Sequence, residues 1–184
     1  FKSKPLTDEL NIKQHIDFNK RTIQIARRDE SKHEELVACL KLAIAFNRYK
    51  KYDDALKTID EAKKIDETFF NASRFTIGVL EATVLNSLNK NEESRRVILK
   101  SYQKLLEKQK KIKSLQHLKY ADFKKFNSST FIRNTINSAT IYFKIYQKDK
   151  NKEDLLIANN LFFIASDIFA EFYQKGKYNY HLNA

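Results

Sequence analysis

The side chains best suited to chemistry in this chain are one cysteine, four histidines and several pairs of adjacent acids. Cys39 would act as a nucleophile only beside a histidine and in a setting that favours the thiolate. It falls on an apolar stripe with Leu36, Leu40 and Ala43, which predicts an inert buried thiol. His15, His33, His117 and His181 are scattered singly among polar neighbours, and no HExxH spacing occurs, so no metal site is expected. Glu34-Glu35, Asp53-Asp54 and Glu92-Glu93 each stand where a helix would begin. Capping and the helix dipole explain such pairs more simply than acid–base catalysis does. With Gly78 and Gly176 as the only glycines, no glycine-rich phosphate loop can form. The residues predict no enzyme within this chain and no cofactor.

Charge is the second chemical resource. The formal net charge is +12, unevenly spread. From Arg95 to Arg133 there are twelve Lys or Arg against Glu107 and Asp122, a local excess of ten. Arg96, Lys100 and Lys104 share one helix face, as do Lys104, Lys108 and Lys111. This basic segment, 95–133, is a candidate surface for nucleic acid or an acidic protein. Lysine dominates, whereas arginine is the bidentate phosphate reader. The interleaved Tyr102, Tyr120, Phe123 and Phe126 recur at helical spacing, as core residues do. A solvated lysine-rich face is therefore the simpler reading, and an acidic protein is at least as good a partner as RNA.

Elements that hold these residues follow from composition. Two glycines and one proline are too few for a turn-rich sheet, and 42% apolar residues suffice for one core or a short repeat array. The expectation is an all-α chain of about seven or eight helices in antiparallel hairpins, one unit over 1–184. The periodicity predicts helices over about 7–28, 31–48, 53–67 (after a break at 49–52), 70–88, 92–112, 131–147 and 153–175, with a shorter one over 115–126. Ser31 and Glu34 have capping-box spacing, Asn127-Ser128-Ser129 makes a break and cap, and Gly176 sits where a C-cap glycine belongs. The most apolar run, 155–172, is interrupted by Asn159, Asn160, Ser166, Asp167 and Glu171, so no membrane span is expected. One cysteine allows no internal disulfide, compatible with a reducing compartment, and the cytoplasm is slightly favoured. Asn71-Ala72-Ser73 and Asn127-Ser128-Ser129 fit a glycosylation sequon by chance in a chain rich in Asn and Ser. Beginning at Phe1 without a methionine, the chain is expected to be a piece of a longer protein.

The segment 36–67 resembles the tetratricopeptide repeat, a helix-turn-helix unit of about 34 residues. Leu42 and Ala43 match its leucine and small residue, Phe46 its tyrosine, Tyr52 its inter-helix aromatic, and Ala55, Ile59 and Ala62 its small–large–small second helix. Cys39 replaces the first aromatic, Lys50 the turn glycine and Glu67 the terminal proline. Segment 70–101 carries a blurred version of the pattern at Ala82, Leu85, Ser94, Ile98 and Ser101, and 131–173 keeps only the hairpin shape. The phrase from Ala165 to Asn179 is similar to the last helix of repeat regions preceding caspase-like CHAT protease domains in bacterial proteins. Such repeat regions also precede the DNA-binding domains of bacterial regulators.

The resemblance implies a right-handed superhelix that works as a non-catalytic protein-binding scaffold, its groove lined by first helices of hairpins. Lys41, Ala45 and Arg48 are the groove candidates, on the helix face opposite the Leu42–Phe46 stripe, and Asn86 is the candidate on the next hairpin. The partner would be a protein or peptide. Nucleic acid bound by the basic segment, or regulation of a bacterial caspase-like peptidase or transcription regulator, are the alternatives.

Overall fold

A computed structural model describes residues 5–106, 112–126 and 128–182, with side chains described over 10–106, 112–126 and 128–174. The described residues are all-α: seven α-helices, two short 3₁₀ turns and no strand. They fall into two compact units, residues 1–88 and 89–184.

In the first unit α1 (Pro5–Arg28), α2 (Lys32–Arg48), α3 (Tyr52–Phe69) and α4 (Arg74–Ser87) pack each on the next, and α2 also touches α4. Small residues make that possible. Ala38, Ala43, Ala45, Ala55 and Ala62 are all at most 2% exposed, so backbones approach closely while Phe46 and Ile59 fill the spaces between. Ile16, Ile23, Leu36, Leu42, Ile77 and Val84 complete this core. In α1 the stripe is narrower than its apolar residues suggest: Leu10, Phe18 and Ile25 are exposed.

Helix starts rely on charge more than on side-chain caps. Ser31, Lys51 and Lys90 occupy N-cap positions without a capping hydrogen bond, and acids fill the first turns that follow. Ser31 and Glu34 thus form no capping box. Between α3 and α4 the fully buried Asp66 performs the task from a distance: its Oδ1 accepts from the amides of Ala72 and Ser73 at 3.2 and 2.9 Å. That bond draws 70–73 into a connector, so α4 starts at Arg74 and not at Phe70, and α3 runs on to Phe69.

Helix ends close through left-handed residues that are not glycine. Glu30, Lys50, Asn71, Asn89 and Lys150 have φ of 54 to 61°. Lys50, at the position of the repeat's glycine, takes the conformation a glycine would take. Its amide donates to Asn47 O at 3.1 Å and that of Lys51 to Phe46 O at 2.8 Å, the paired bonds of a Schellman end.

In the second unit α5 (Asn91–Leu105) packs on α6 (Ser129–Asp149), and α6 forms a long hairpin with α7 (Lys152–Leu182). α5 ends at Leu105 and not near Ile112, and Gln103 Nε2 in its last turn donates to Ile112 O at 2.8 Å. The segment expected as one short helix over 115–126 is two 3₁₀ turns, Leu115–His117 and Tyr120–Phe123. Asn160 on α7 holds the first by donating to the carbonyls of Leu115 and Leu118 at 2.9 and 3.0 Å. Ser128 caps α6, accepting from Phe131 N at 3.1 Å, as the sequence suggested. Gly176 lies inside α7, not at its end. The core here is Ile98, Tyr102, Leu115, Phe123, Ile145, Leu161 and Ile168, with Tyr102 and Phe123 edge to face at 5.9 Å.

By length and composition, Lys152–Gln174 of α7 is apolar enough to cross a membrane despite its polar interruptions, and it is the one such helix among the described residues. It packs against α6 and the two 3₁₀ turns, with Ile157, Leu161, Ile164 and Ile168 buried, while Phe163, Phe169 and Tyr173 stay exposed.

Candidate functional site

Two surfaces gather the sequence-derived candidates, one in each unit. In the first, α2 has α1, α3 and α4 around it and leaves a single arc open. Lys41 and Arg48 stand on that arc, exposed. Ala45 does not: it is wholly buried, its methyl group covered by the helices packed beside it. The residue that takes its place is Ile44, 44% exposed, three residues after Lys41 and four before Arg48. The signal was present in that i, i+3, i+7 spacing, which runs back to exposed Glu34, seven residues before Lys41. Asn86 on α4 is 7% exposed and offers almost no surface.

Beside this arc a charged cluster ties three helices together. Glu35, 6% exposed at its side chain, accepts from Arg27 Nε at 2.6 Å and Lys32 Nζ at 2.9 Å, and Arg27 also reaches Glu61 at 3.1 Å. Burial raises the Glu35 pKa, but its hydrogen bonds to Arg27 and Lys32 outweigh that and hold it below the usual carboxylate range. Burial, with Glu61 next in effect, pushes the Cys39 thiol up to about 11, which suits a packing residue and not a nucleophile. His15 and His33 lie edge-on to Tyr49 and Phe70, with ring centres 6.4 and 5.9 Å apart.

In the second unit Arg96, Lys100 and Lys104 are exposed along one side of α5, without an ion pair among the described residues. Lys108 and Lys111 lie outside the described residues. The aromatics of this segment mainly build core: Tyr102 and Phe123 are fully buried, and Phe126 stacks on Phe131 at 5.6 Å. Burial pushes the Tyr102 hydroxyl up to about 12, with the neighbouring Thr135 and Ser138 side chains acting in the opposite direction.

Arg95 faces the other way. Its Nε and Nη2 meet Asp154 in a fork at 2.9 and 2.6 Å, Nη2 also meets Asp149 at 2.9 Å, and Nη1 meets Glu92. The Asp154 hydrogen bonds, stronger than the cost of burial, raise the guanidinium pKa still further, so Arg95 is a permanent cation. Above this fork opens a cavity of about 380 Å³ with Leu99, Leu115 and Ile157 on its apolar wall and Arg96, Lys113, Ser114, Tyr142, Asn151 and Glu153 among its polar residues. Ser114 Oγ lies 3.3 Å from Glu153 Oε1, and Tyr142 is 3% exposed. Burial is the main force raising the Tyr142 pKa, with Asp154 adding to it and Arg95 opposing.

Compared with family models, curated proteins and solved structures, the chain has no significant match.

Proposed function

We propose that this chain is a non-catalytic protein-binding scaffold whose first unit is built on one tetratricopeptide-like hairpin, α2–α3, with the open arc of α2 as its ligand-facing surface. The observation that carries this reading is the contact of α2 with α4 past α3, together with the alanine-lined packing of those helices. A first helix that touches both its own partner and the next first helix is how hairpins of this kind stack, and it leaves first helices lining one face. Lys41, Ile44 and Arg48 give that face an apolar anchor between two cations, a pattern suited to an extended segment of a partner protein. The test is a photo-crosslinking residue at position 44 in cells. A discrete partner should be trapped, and the trapping should disappear with Lys41→Glu and Arg48→Glu. Undiminished trapping in that double variant sinks the α2 assignment.

A second reading has its own observation: Arg96, Lys100 and Lys104, exposed and free of ion pairs among the described residues, form a basic face suited to an acidic partner. Binding of that kind weakens steeply with salt, and reversal of those three charges should abolish it. Salt-independent binding that survives the reversal would exclude this reading.

A further inference from the structure

The cavity over Arg95 has an unused donor at its wall. Tyr142 is 3% exposed, lines the cavity, and forms no hydrogen bond with any described residue. A buried hydroxyl in a polar wall is costly without a partner, so such groups are normally satisfied. Its hydroxyl is not sealed from solvent, so the cavity is where a partner can reach it.

The rest of the lining defines what that partner carries. Three cations and three carboxylates face the cavity, but they are unequally committed. Arg95 holds Asp154 and Glu92, and Glu153 is near Ser114. Arg96 and Lys113 have no ion pair among the described residues. Glu153 keeps an exposed carboxylate with no ion pair among the described residues, while the uncommitted donors are one phenolic hydroxyl, one guanidinium and one ammonium. They call for an acceptor that is anionic. Leu99, Leu115 and Ile157 supply an apolar wall beside them, which calls for carbon next to the anion.

A nucleic-acid strand fits poorly. Glu92, Glu153 and Asp154 in the same wall repel a run of phosphates, and the arginine fork that would read a phosphate is already occupied by Asp154. One carboxylate brings a single charge near those acids instead of a run of them, and it does not need the occupied fork.

We propose that the cavity between α5, the first 3₁₀ turn and the α6–α7 hairpin is a subsite for a single acidic side chain of a peptide flanked by apolar residues. The Tyr142 hydroxyl donates to the carboxylate at the cavity wall, Arg96 and Lys113 neutralise it at the mouth, and the flanking side chains lie on Leu99, Leu115 and Ile157. The subsite rests on the acidic-partner reading for the sign of its ligand and adds the place where that partner is anchored.

The test uses the full chain and a capped, fluorescein-labelled peptide of alternating leucine and glutamate, with its glutamine counterpart and a labelled single-stranded oligonucleotide. Fluorescence anisotropy should give saturable binding of the glutamate peptide and at least about tenfold weaker binding of the glutamine one. Tyr142→Phe keeps the ring and removes only the hydroxyl; it should weaken the glutamate peptide by about tenfold and leave the glutamine peptide unchanged. Arg96→Gln, at an exposed side chain, should weaken it too, and it keeps the test decisive if Tyr142→Phe lowers the melting temperature. Lys57→Glu, an exposed site in the first unit, controls for bulk charge. Equal affinity for both peptides overturns the proposal, as does a folded Tyr142→Phe variant that binds like the parent. So does an oligonucleotide that outcompetes the peptide. If reversing Lys100 and Lys104 abolishes binding while Tyr142→Phe and Arg96→Gln do not, the basic-face reading survives and the subsite fails.

Discussion

Replacing Arg95 by methionine should destabilise the second unit by about 3–5 kcal/mol, because it strands the Asp154 carboxylate in the interior. Asp154 is 3% exposed at its side chain, and among the described residues its ion pair is the Arg95 fork, at 2.9 and 2.6 Å. A lone buried carboxylate must either stay charged without solvent or take up a proton, and both cost free energy. Against a total stability of about 5–15 kcal/mol for a folded domain, a loss of this size is a large fraction. Asp154→Asn should cost less, about 1–2 kcal/mol, since Arg95 keeps Asp149 and Glu92 and remains 17% exposed. Arg95→Met combined with Asp154→Leu should recover most of the loss, because an apolar pair replaces an ion pair at little net cost. Urea unfolding followed by circular dichroism would measure the changes, and native-state hydrogen exchange at the Ile98 amide would localise them to α5. A loss under about 1 kcal/mol for Arg95→Met, or a double variant as unstable as the single one, would refute this account.

Glu35→Gln should cost about 1 kcal/mol at neutral pH and nothing in acid. Arg27 and Lys32 hold the folded pKa of Glu35 below its unfolded value, so the stabilisation is complete above about pH 4.3 and fades as pH falls through the folded value; melts across that range should show the two proteins converging. Cys39, with a thiol pushed up to about 11 and no exposed surface, should resist aromatic disulfide reagents in the native protein and react at once in urea. Fast labelling of the folded chain would contradict its place in the core. Lys50→Gly should stabilise by about 0.5–1 kcal/mol, because relief of the left-handed backbone exceeds the added freedom of the unfolded chain; a lowered melting temperature would show that the lysine side chain matters to the turn.

Hairpins were legible because small and large apolar residues alternate in face as well as in size. Ala43, Ala55 and Ala62 read as close-approach points from spacing alone, and they are fully buried. What spacing could not show was long-range satisfaction of backbone groups. Asp66 holds the amides six and seven positions on, just before α4, and Gln103 at the end of α5 reaches the carbonyl of Ile112. The same limit put one surface candidate on the wrong residue. Ala45 and Ile44 are adjacent, and only the positions of the neighbouring helices decide that the smaller one is covered. The fork of Arg95 was hidden within a basic run, since its acids Asp149 and Asp154 come more than fifty residues later.

Non-glycine residues at the left-handed helix ends have a consequence for how proteases meet this chain. Lys50, Lys51 and Lys150 are exposed basic residues at short turns, the sites trypsin would be expected to find first. A protease must draw several residues on each side of the scissile bond into an extended strand. Here those residues belong to closed turns, with Lys50, Lys51 and Lys150 each giving its own amide to the preceding helix. Cutting there requires the ends of two helices to open together, so these lysines should be spared until their hairpin unfolds. The turns act as latches whose release reports the stability of the hairpin itself.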